Sequence, residues 1–205
     1  MKTRVIPNEE KDLSKGHTLR ALRRVISAPW VRSLTLLVMT AWFAWLLLPK
    51  PPLLEGISFS QCVRDRNGKL LRVTLTTDQK FRVWTSLSDI SPALIDATLR
   101  FEDKYYRRHP GVNPVALMRS ALYLRARGAH SGASTITMQL ARLRYHLCTR
   151  TVGGKFVQII RALELERHYS KAEILEAYLN LAPYGRNIEG IGAASQIYFD
   201  KPASR

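Results

Sequence analysis

The stretch Ser91-Pro-Ala-Leu-Ile-Asp-Ala-Thr-Leu-Arg-Phe-Glu102-Asp103 decides the fold class of this chain. Ser91 is a favoured N-cap residue, and the proline after it suits the first turn of a helix. Apolar residues then recur at helical spacing, at Leu94, Ala97, Phe101 and Tyr105. Adjacent side chains on a helix point about 100° apart, so only one of the carboxylates of Glu102 and Asp103 can face a given cleft.

More helix signals follow along the chain. Asn113-Pro114 repeats the same start signal, and a glycine-bearing loop at 128–132 then leads to Ser134, the expected cap of the next helix. Gly153-Gly154 is expected to break the chain again. Ser170-Lys-Ala-Glu173 is a capping box that opens a further helix. The second half of the chain is therefore expected to be helical.

Upstream of these helices, Asn67-Gly68 stands between runs of apolar and β-branched residues. An Asn-Gly pair in this setting is the strongest short-range signal for a β-hairpin. The 205 residues, of which 46% are hydrophobic, suffice for one ordinary domain. The sequence thus predicts a mainly α domain with a small N-terminal β-hairpin.

The N-terminal part predicts a membrane anchor. Residues 1–32 form a basic tail, and 33–48 are an uncharged run, slightly shorter than the roughly 20 residues of a membrane span. A buried core helix would show a polar stripe, and a cleaved signal peptide would not be followed by Pro-Lys-Pro-Pro. We therefore expect a transmembrane signal anchor over 33–48, a stiff linker over 49–57 and a domain over 58–205. The positive-inside rule places the basic tail in the cytoplasm.

Charge and cysteine content narrow the class of ligand. The net charge of +16 points to anionic partners, which include phosphates, lipid headgroups and nucleic acid. Cys62 and Cys148 are the only cysteines, which excludes a disulfide-dense scaffold and a zinc site built from four cysteines. No metal site is expected, and the sequence leaves open whether the two cysteines pair.

A second polar stretch is harder to explain as structure alone. Gly132-Ala-Ser134-Thr-Ile-Thr137-Met-Gln139 crowds hydroxyl and amide groups into the first turns of a predicted helix. Free backbone N–H groups and the helix dipole favour a bound anion at such a place. Basic residues follow closely, at Arg142, Arg144, Arg150 and Lys155. A plain N-cap would need only Ser134.

Taken in order, these motifs resemble the family 51 peptidoglycan glycosyltransferases. The resemblance begins at Ser58 and extends to the end of the chain. Its motifs are Glu102-Asp103 with His109-x-Gly111, the stretch 132–139, the segment around Lys155, Glu173-Ile-Leu-Glu-Ala-Tyr-Leu-Asn180, and the run from Gly190 to Phe199. It implies a lysozyme-like helical fold with a jaw that dips into the membrane.

The resemblance also implies roles for single residues. Glu102 matches the general base, which takes the proton from the acceptor sugar's 4-hydroxyl while undecaprenyl pyrophosphate leaves with inversion. Arg142, Arg150 and Lys155 match basic positions near the pyrophosphate, whose developing charge needs cations. The substrate-binding residues expected on this basis are Asp103, Arg119, Ser134, Thr135, Gln139, Arg142, Arg150 and Lys155.

The chain departs from the family pattern in two respects. Gln158 occupies the position of a second catalytic glutamate, and Gly154 that of an arginine. Relatives of this kind continue into a transpeptidase domain, whereas this chain has no Ser-x-x-Lys motif. The domain over 58–205 is therefore expected to be C-terminally truncated.

The function expected from the resemblance is polymerisation of lipid II on the outer face of the bacterial inner membrane. Expected partners are lipid II, the growing glycan strand and the membrane, with other cell wall synthesis proteins as an option and no nucleic acid. No cofactor is expected, although a divalent cation is an option. The alternatives are a lysozyme-like muramidase, a membrane-tethered protein that binds anionic ligands, and an inactive fragment. Hydrolysis of a neutral glycan would not need the cations from Arg142 to Lys155.

Overall fold

The computed structural model describes residues 29–127 and 134–204, which fall into two compact units, 1–50 and 51–205. In the first unit, helix α1 spans Pro29–Leu46 and buries no residue. Within the described ranges, no helix combines the length and the apolar character that a membrane span needs. The helix expected over 33–48 is present as α1, which includes the charged Arg32. Most of the predicted basic tail lies outside the described residues.

The second unit is mainly helical, as predicted. Its elements in chain order are β1 (Cys62–Arg64), β2 (Leu70–Val73), β3 (Phe81–Arg82), α2 (Pro92–Glu102), α3 (Pro114–Arg127), α4 (Ile136–Arg144), α5 (Val152–His168), α6 (Lys171–Leu181), β4 (Ile188–Glu189) and α7 (Ile191–Phe199). Short 3-10 turns lie at Leu87–Asp89 and Tyr106–Arg108.

The predicted hairpin is confirmed, since β1 and β2 pair in antiparallel fashion around Asn67-Gly68. Asp65 Oδ1 accepts hydrogen bonds of 2.8 Å from the backbone N–H groups of Asn67 and Lys69, and Gly68 has the positive φ that such a turn requires. A second small sheet was not predicted. It pairs β3 with β4 in parallel over two residues each, which is too short to leave an alternating pattern in the sequence.

The helix starts were predicted well at α2, α3 and α6. The helices α2 and α3 begin at Pro92 and Pro114, and both hydrogen bonds of the Ser170–Glu173 capping box form. The prediction that Ser134 caps α4 is wrong, because the cap is Thr135, whose hydroxyl accepts from the N–H of Met138. The loop expected at 128–132 lies outside the described residues.

The expected chain break at Gly153-Gly154 is also wrong. Both glycines lie in the first turn of α5, after the N-cap Thr151, whose hydroxyl accepts from the N–H of Gly154. A side chain at Gly154 would collide with the carbonyl oxygen of Cys148. A side chain at this position would therefore force the backbone at Cys148 or the start of α5 to shift.

The core of the second unit forms around α4, which packs against α5 and α6. The largest fully buried apolar side chains are Ile136, Met138, Leu140, Leu165, Ile174 and Leu179. The predicted linker contributes as well, since Leu53, Leu54 and Ile57 pack against this core. The apolar face of α4 is thus packed inside this core, which fixes the direction in which its polar side chains point.

Candidate active site

Glu102 is the last residue of α2, and its carboxylate contacts α4. Gln139 Nε2 donates a hydrogen bond of 2.8 Å to Glu102 Oε2. On its other side, the Gln139 amide oxygen accepts a hydrogen bond of 3.3 Å from the hydroxyl of Tyr178 on α6. Three helices are therefore joined by one chain of polar groups that ends at the Glu102 carboxylate.

Glu102 stands between two clefts and lines both of them. The first, of about 400 Å³, is also lined by Gln139, Arg142, Tyr178 and Tyr184. The second, of about 350 Å³, is also lined by Asn113, Arg119, Ser134 and Thr135. A carboxylate at the junction of two clefts is placed to act between two bound groups.

Two tyrosines near Glu102 were not predicted as site residues. Burial, followed by the charge of Glu102, raises the pKa of both Tyr178 and Tyr184 above the usual tyrosine value. Both phenols therefore stay protonated and can donate hydrogen bonds in the cleft. Tyr178 lies in the quoted motif from Glu173 to Asn180, which was a signal that could have found it, whereas Tyr184 lies in none of the quoted motifs.

Asp103, next to Glu102, points into the protein. Its buried carboxylate lies 3.0 Å from His109 Nε2 and accepts a hydrogen bond of 3.1 Å from the backbone N–H of Ile136, at the start of α4. The two adjacent carboxylates thus diverge as expected, but for a different reason, since Asp103 is the C-cap of α2 and has a φ of −157° rather than a helical one. Asp103 was expected among the substrate-binding residues. It lies on the wall of the second cleft, but its carboxylate holds α4 and the following turn in place.

A cationic group lies at the start of α4 and α5. Lys155 Nζ donates a hydrogen bond of 2.7 Å to Ser134 Oγ. Burial, and then the positive charge of Arg142, lower the pKa of Lys155. Ser134 and Lys155 are thus joined, and Arg142, which is close enough to lower the pKa of Lys155, is exposed on the wall of the first cleft.

Thr135 and Arg119 lie on the other side of Glu102. Thr135 is buried, donates to the carbonyl oxygen of Gly111 and caps α4, so its hydroxyl is engaged within the protein. Arg119 is exposed on α3 and lines the second cleft.

The structure does not bring Arg150 and Gln158 into these clefts. Arg150 is exposed before α5 and is not among the residues that line either cleft. Gln158 is 1% exposed, and its Nε2 donates a hydrogen bond of 2.6 Å to the carbonyl oxygen of Met138. The side chain lies beneath α4, where it cannot contact a bound substrate without moving, so its expected catalytic contact is not seen.

Metal ligands do not converge in the part of the chain that the structure describes. Within residues 29–127 and 134–204, no three or more His, Cys, Asp and Glu side chains are grouped so that they could hold a metal ion. Arg142 lines the first cleft beside Glu102, and Lys155 is joined to the second cleft through Ser134, which lines it.

Comparison with known proteins places this chain in a family. The family model described as transglycosylase matches residues 67–205. The chain is 41% identical to penicillin-binding protein 1C of Escherichia coli over 81% of its length, and 36% identical to penicillin-binding protein 1A of Aquifex aeolicus over 75%. It is also 41% identical to penicillin-binding protein 2D of Bacillus subtilis over 60%. The chain covers 21%, 21% and 18% of these three relatives. The chain belongs to the transglycosylase family.

Proposed function

We propose that this chain is a peptidoglycan glycosyltransferase that polymerises lipid II into glycan strands. The observation that carries the proposal is the Glu102 carboxylate, which lies between two clefts and is held by Gln139. The relatives named above are penicillin-binding proteins, of which this chain spans about a fifth. The family membership and the mainly helical domain support a lysozyme-like arrangement.

The reaction is a single displacement. Glu102 takes the proton from the 4-hydroxyl of the acceptor sugar while that oxygen attacks the anomeric carbon of the donor. The new bond forms as the bond from this carbon to the pyrophosphate oxygen breaks, and the electron pair leaves with undecaprenyl pyrophosphate. Attack from the opposite side inverts the anomeric centre, and Glu102 afterwards releases its proton to solvent.

The cations beside the cleft stabilise the leaving group. Lys155 is oriented by its 2.7 Å hydrogen bond to Ser134, and Arg142 lies near enough to lower the pKa of Lys155. Because repulsion between these two cations is relieved when an anion binds, a preformed site of this kind suits a pyrophosphate. Arg119, on the wall of the second cleft, would bind the other substrate.

Exposed apolar side chains support a lipid-linked substrate. They lie on helices α2, α3 and α5 and include Phe101, Val115, Met118, Val152 and Phe156, each more than 60% exposed. Large apolar side chains left in contact with water in this way often mark a surface that meets lipid or another protein. We therefore propose that the domain works at the outer face of the bacterial inner membrane, next to the acyl chains of its substrate.

The hydrogen bond from Gln139 favours this reaction over hydrolysis by a muramidase. An N–H group that donates to a carboxylate stabilises its negative charge, which suits a group that accepts a proton. A muramidase would need a carboxylic acid that donates a proton to the glycosidic oxygen.

The test is to incubate the detergent-solubilised chain with labelled lipid II and to separate the products by size. The proposal expects long glycan polymer and free undecaprenyl pyrophosphate. A parallel incubation with purified sacculi should release no soluble muropeptides. Release of muropeptides without polymer would make the chain a muramidase, and no product from either substrate would contradict both activities.

A further inference from the structure

A third pocket adjoins the first Glu102 cleft. Its volume is about 630 Å³, and Arg142 and Leu143 line both this pocket and the cleft. Its other walls come from the segment after Pro51, from β3 and β4, and from the end of α4. We call it the side pocket. A ligand that extends from the Glu102 cleft past Arg142 would enter it.

The acidic groups of the side pocket are already neutralised. Arg82, whose side chain is 8% exposed, pairs with Glu189 at 2.7 Å and with both carboxylate oxygens of Asp78. Lys80 pairs with Glu189 at 3.0 Å. The hydrogen bond from Arg82 is the main cause that holds the pKa of Asp78 well below its usual range. The negative charges of Asp78 and Glu189 are therefore balanced by the positive charges of Lys80 and Arg82 in the pocket wall.

The charges of Arg142 and Arg144 remain without a countercharge. Arg144 donates to the backbone carbonyl oxygens of Pro52 at 3.2 Å and Glu55 at 2.7 Å, which orient its guanidinium but do not neutralise it. Neither arginine forms a salt bridge among the described residues. The side pocket is therefore a cationic space with at least one pre-oriented guanidinium.

This arrangement selects among ligand classes. An uncharged sugar needs no cation, whereas a carboxylate or phosphate forms strong charge-assisted hydrogen bonds with a guanidinium. The pairing of Asp78 with Arg82 means that Asp78 does not repel a phosphate from this cationic space. Its side chain is nevertheless 49% exposed on the same wall and can accept a hydrogen bond from an amino group, which a peptide carries and a polyphosphate lacks.

We propose that the side pocket binds the charged peptide that lipid II carries on its sugar. The peptide carboxylates lie against Arg144, beyond the Arg142 that faces the leaving group, and a peptide amino group faces Asp78. This inference rests on the proposed function, since it assumes that lipid II is the substrate. It assigns the peptide a binding site that is separate from the Glu102 carboxylate.

The test measures binding of the soluble peptide of lipid II to the full chain, with its carboxylates either free or amidated. Inorganic pyrophosphate is the third probe. We expect amidation to weaken binding about tenfold, as loss of a charge-assisted hydrogen bond does. Arg144→Gln should weaken binding of the free peptide to the level of the amidated one. Arg72→Gln removes an exposed arginine of β2 outside the pocket and should preserve the difference.

Equal binding of the two peptides by the native chain would overturn the proposal, and this comparison does not depend on how well Arg144→Gln folds. Pyrophosphate binding that requires Arg144, with no peptide binding, would overturn it as well. Polymerisation of lipid II is measured in parallel. If the chain forms polymer but binds both peptides equally, the proposed function stands and the peptide site is wrong. If it distinguishes the peptides but forms no polymer, the peptide site stands and the proposed function is wrong.

Discussion

Gln139 Nε2 lies 2.8 Å from Glu102 Oε2 and joins the last residue of α2 to the first turns of α4. The amide can adopt only one orientation here, because its oxygen accepts from Tyr178. The carboxylate is thereby directed to the junction of the two clefts before any substrate binds. Positioning of this kind lowers the cost of reaching the transition state.

Removal of this amide should slow catalysis more than it weakens binding. We expect Gln139→Ala to lower kcat about tenfold to a hundredfold, as loss of a hydrogen bond to a charged group does. Gln139→Glu should also move the acidic limb of the pH–rate profile to higher pH, because two adjacent carboxylates cannot both ionise easily. Gln61→Ala, at an exposed position before β1, is the control. An unchanged profile in Gln139→Glu would contradict the contact.

The lowered pKa of Lys155 predicts how substrate binding depends on pH. Burial and Arg142 disfavour the charged form, so Lys155 loses its proton at a lower pH than the ordinary value of 10.5. As pH rises through this lowered pKa, the cation is lost and KM for lipid II should increase. Lys155→Arg keeps its charge, so its KM should stay flat over the same range. The check is KM measured from neutral to alkaline pH, and parallel curves would contradict the assignment.

Gln158→Glu should destabilise the chain rather than activate it. A glutamate here would lose the 2.6 Å bond from Gln158 Nε2 to Met138 and bury a charge. We expect the free energy of unfolding to fall by about 2–4 kcal/mol at pH 7. Burial raises the pKa of the new carboxyl, so the loss should shrink at pH 4, where this group is protonated in the native state and mostly protonated in the unfolded one. Urea titrations of native and variant chains at both pH values test this. Higher activity at unchanged stability would contradict the burial of this position.

With Asp103→Ala, the start of α4 should unfold more easily than in the native chain. The substitution leaves the backbone N–H of Ile136 and the ring of His109 without their carboxylate. We expect a loss of about 2–4 kcal/mol in the free energy of unfolding, because each unsatisfied buried group costs about 1–3 kcal/mol. Asp96→Asn is the control, since its exposed pair with Arg100 contributes less than about 1 kcal/mol. Equal losses in the two variants would argue against a structural role for Asp103.

Much of this fold could be predicted because its signals are local. Proline at Pro92 and Pro114, the capping box at Ser170 and the turn at Asn67-Gly68 each act within a few residues, and each gave the right element. The sheet of β3 and β4 joins segments about a hundred residues apart, so nothing local announces it.

The sequence predicted which residue types form the site, but it did not predict where every side chain points. Glu102 and Gln139 lie in the cleft as expected. Asp103 points away from Glu102 because the chain leaves the helix at this residue, the C-cap of α2. Gln158 is buried beneath α4, a consequence of how α5 packs that no motif records. The cap at Thr135 instead of Ser134 reflects competition, since Ser134 Oγ binds Lys155.

The central claim is that Glu102 is the general base. The most direct measurement is the rate of lipid II polymerisation by the Glu102→Gln chain, alongside lipid II binding by the same protein. The account predicts that the rate falls about a hundredfold to ten-thousandfold. Binding should stay within a few fold, because the amide keeps the shape of the side chain. Asp96→Asn, an equivalent change on the exposed face of α2, should leave the rate near that of the native chain. A Glu102→Gln chain that polymerises lipid II at a near-native rate would contradict the account.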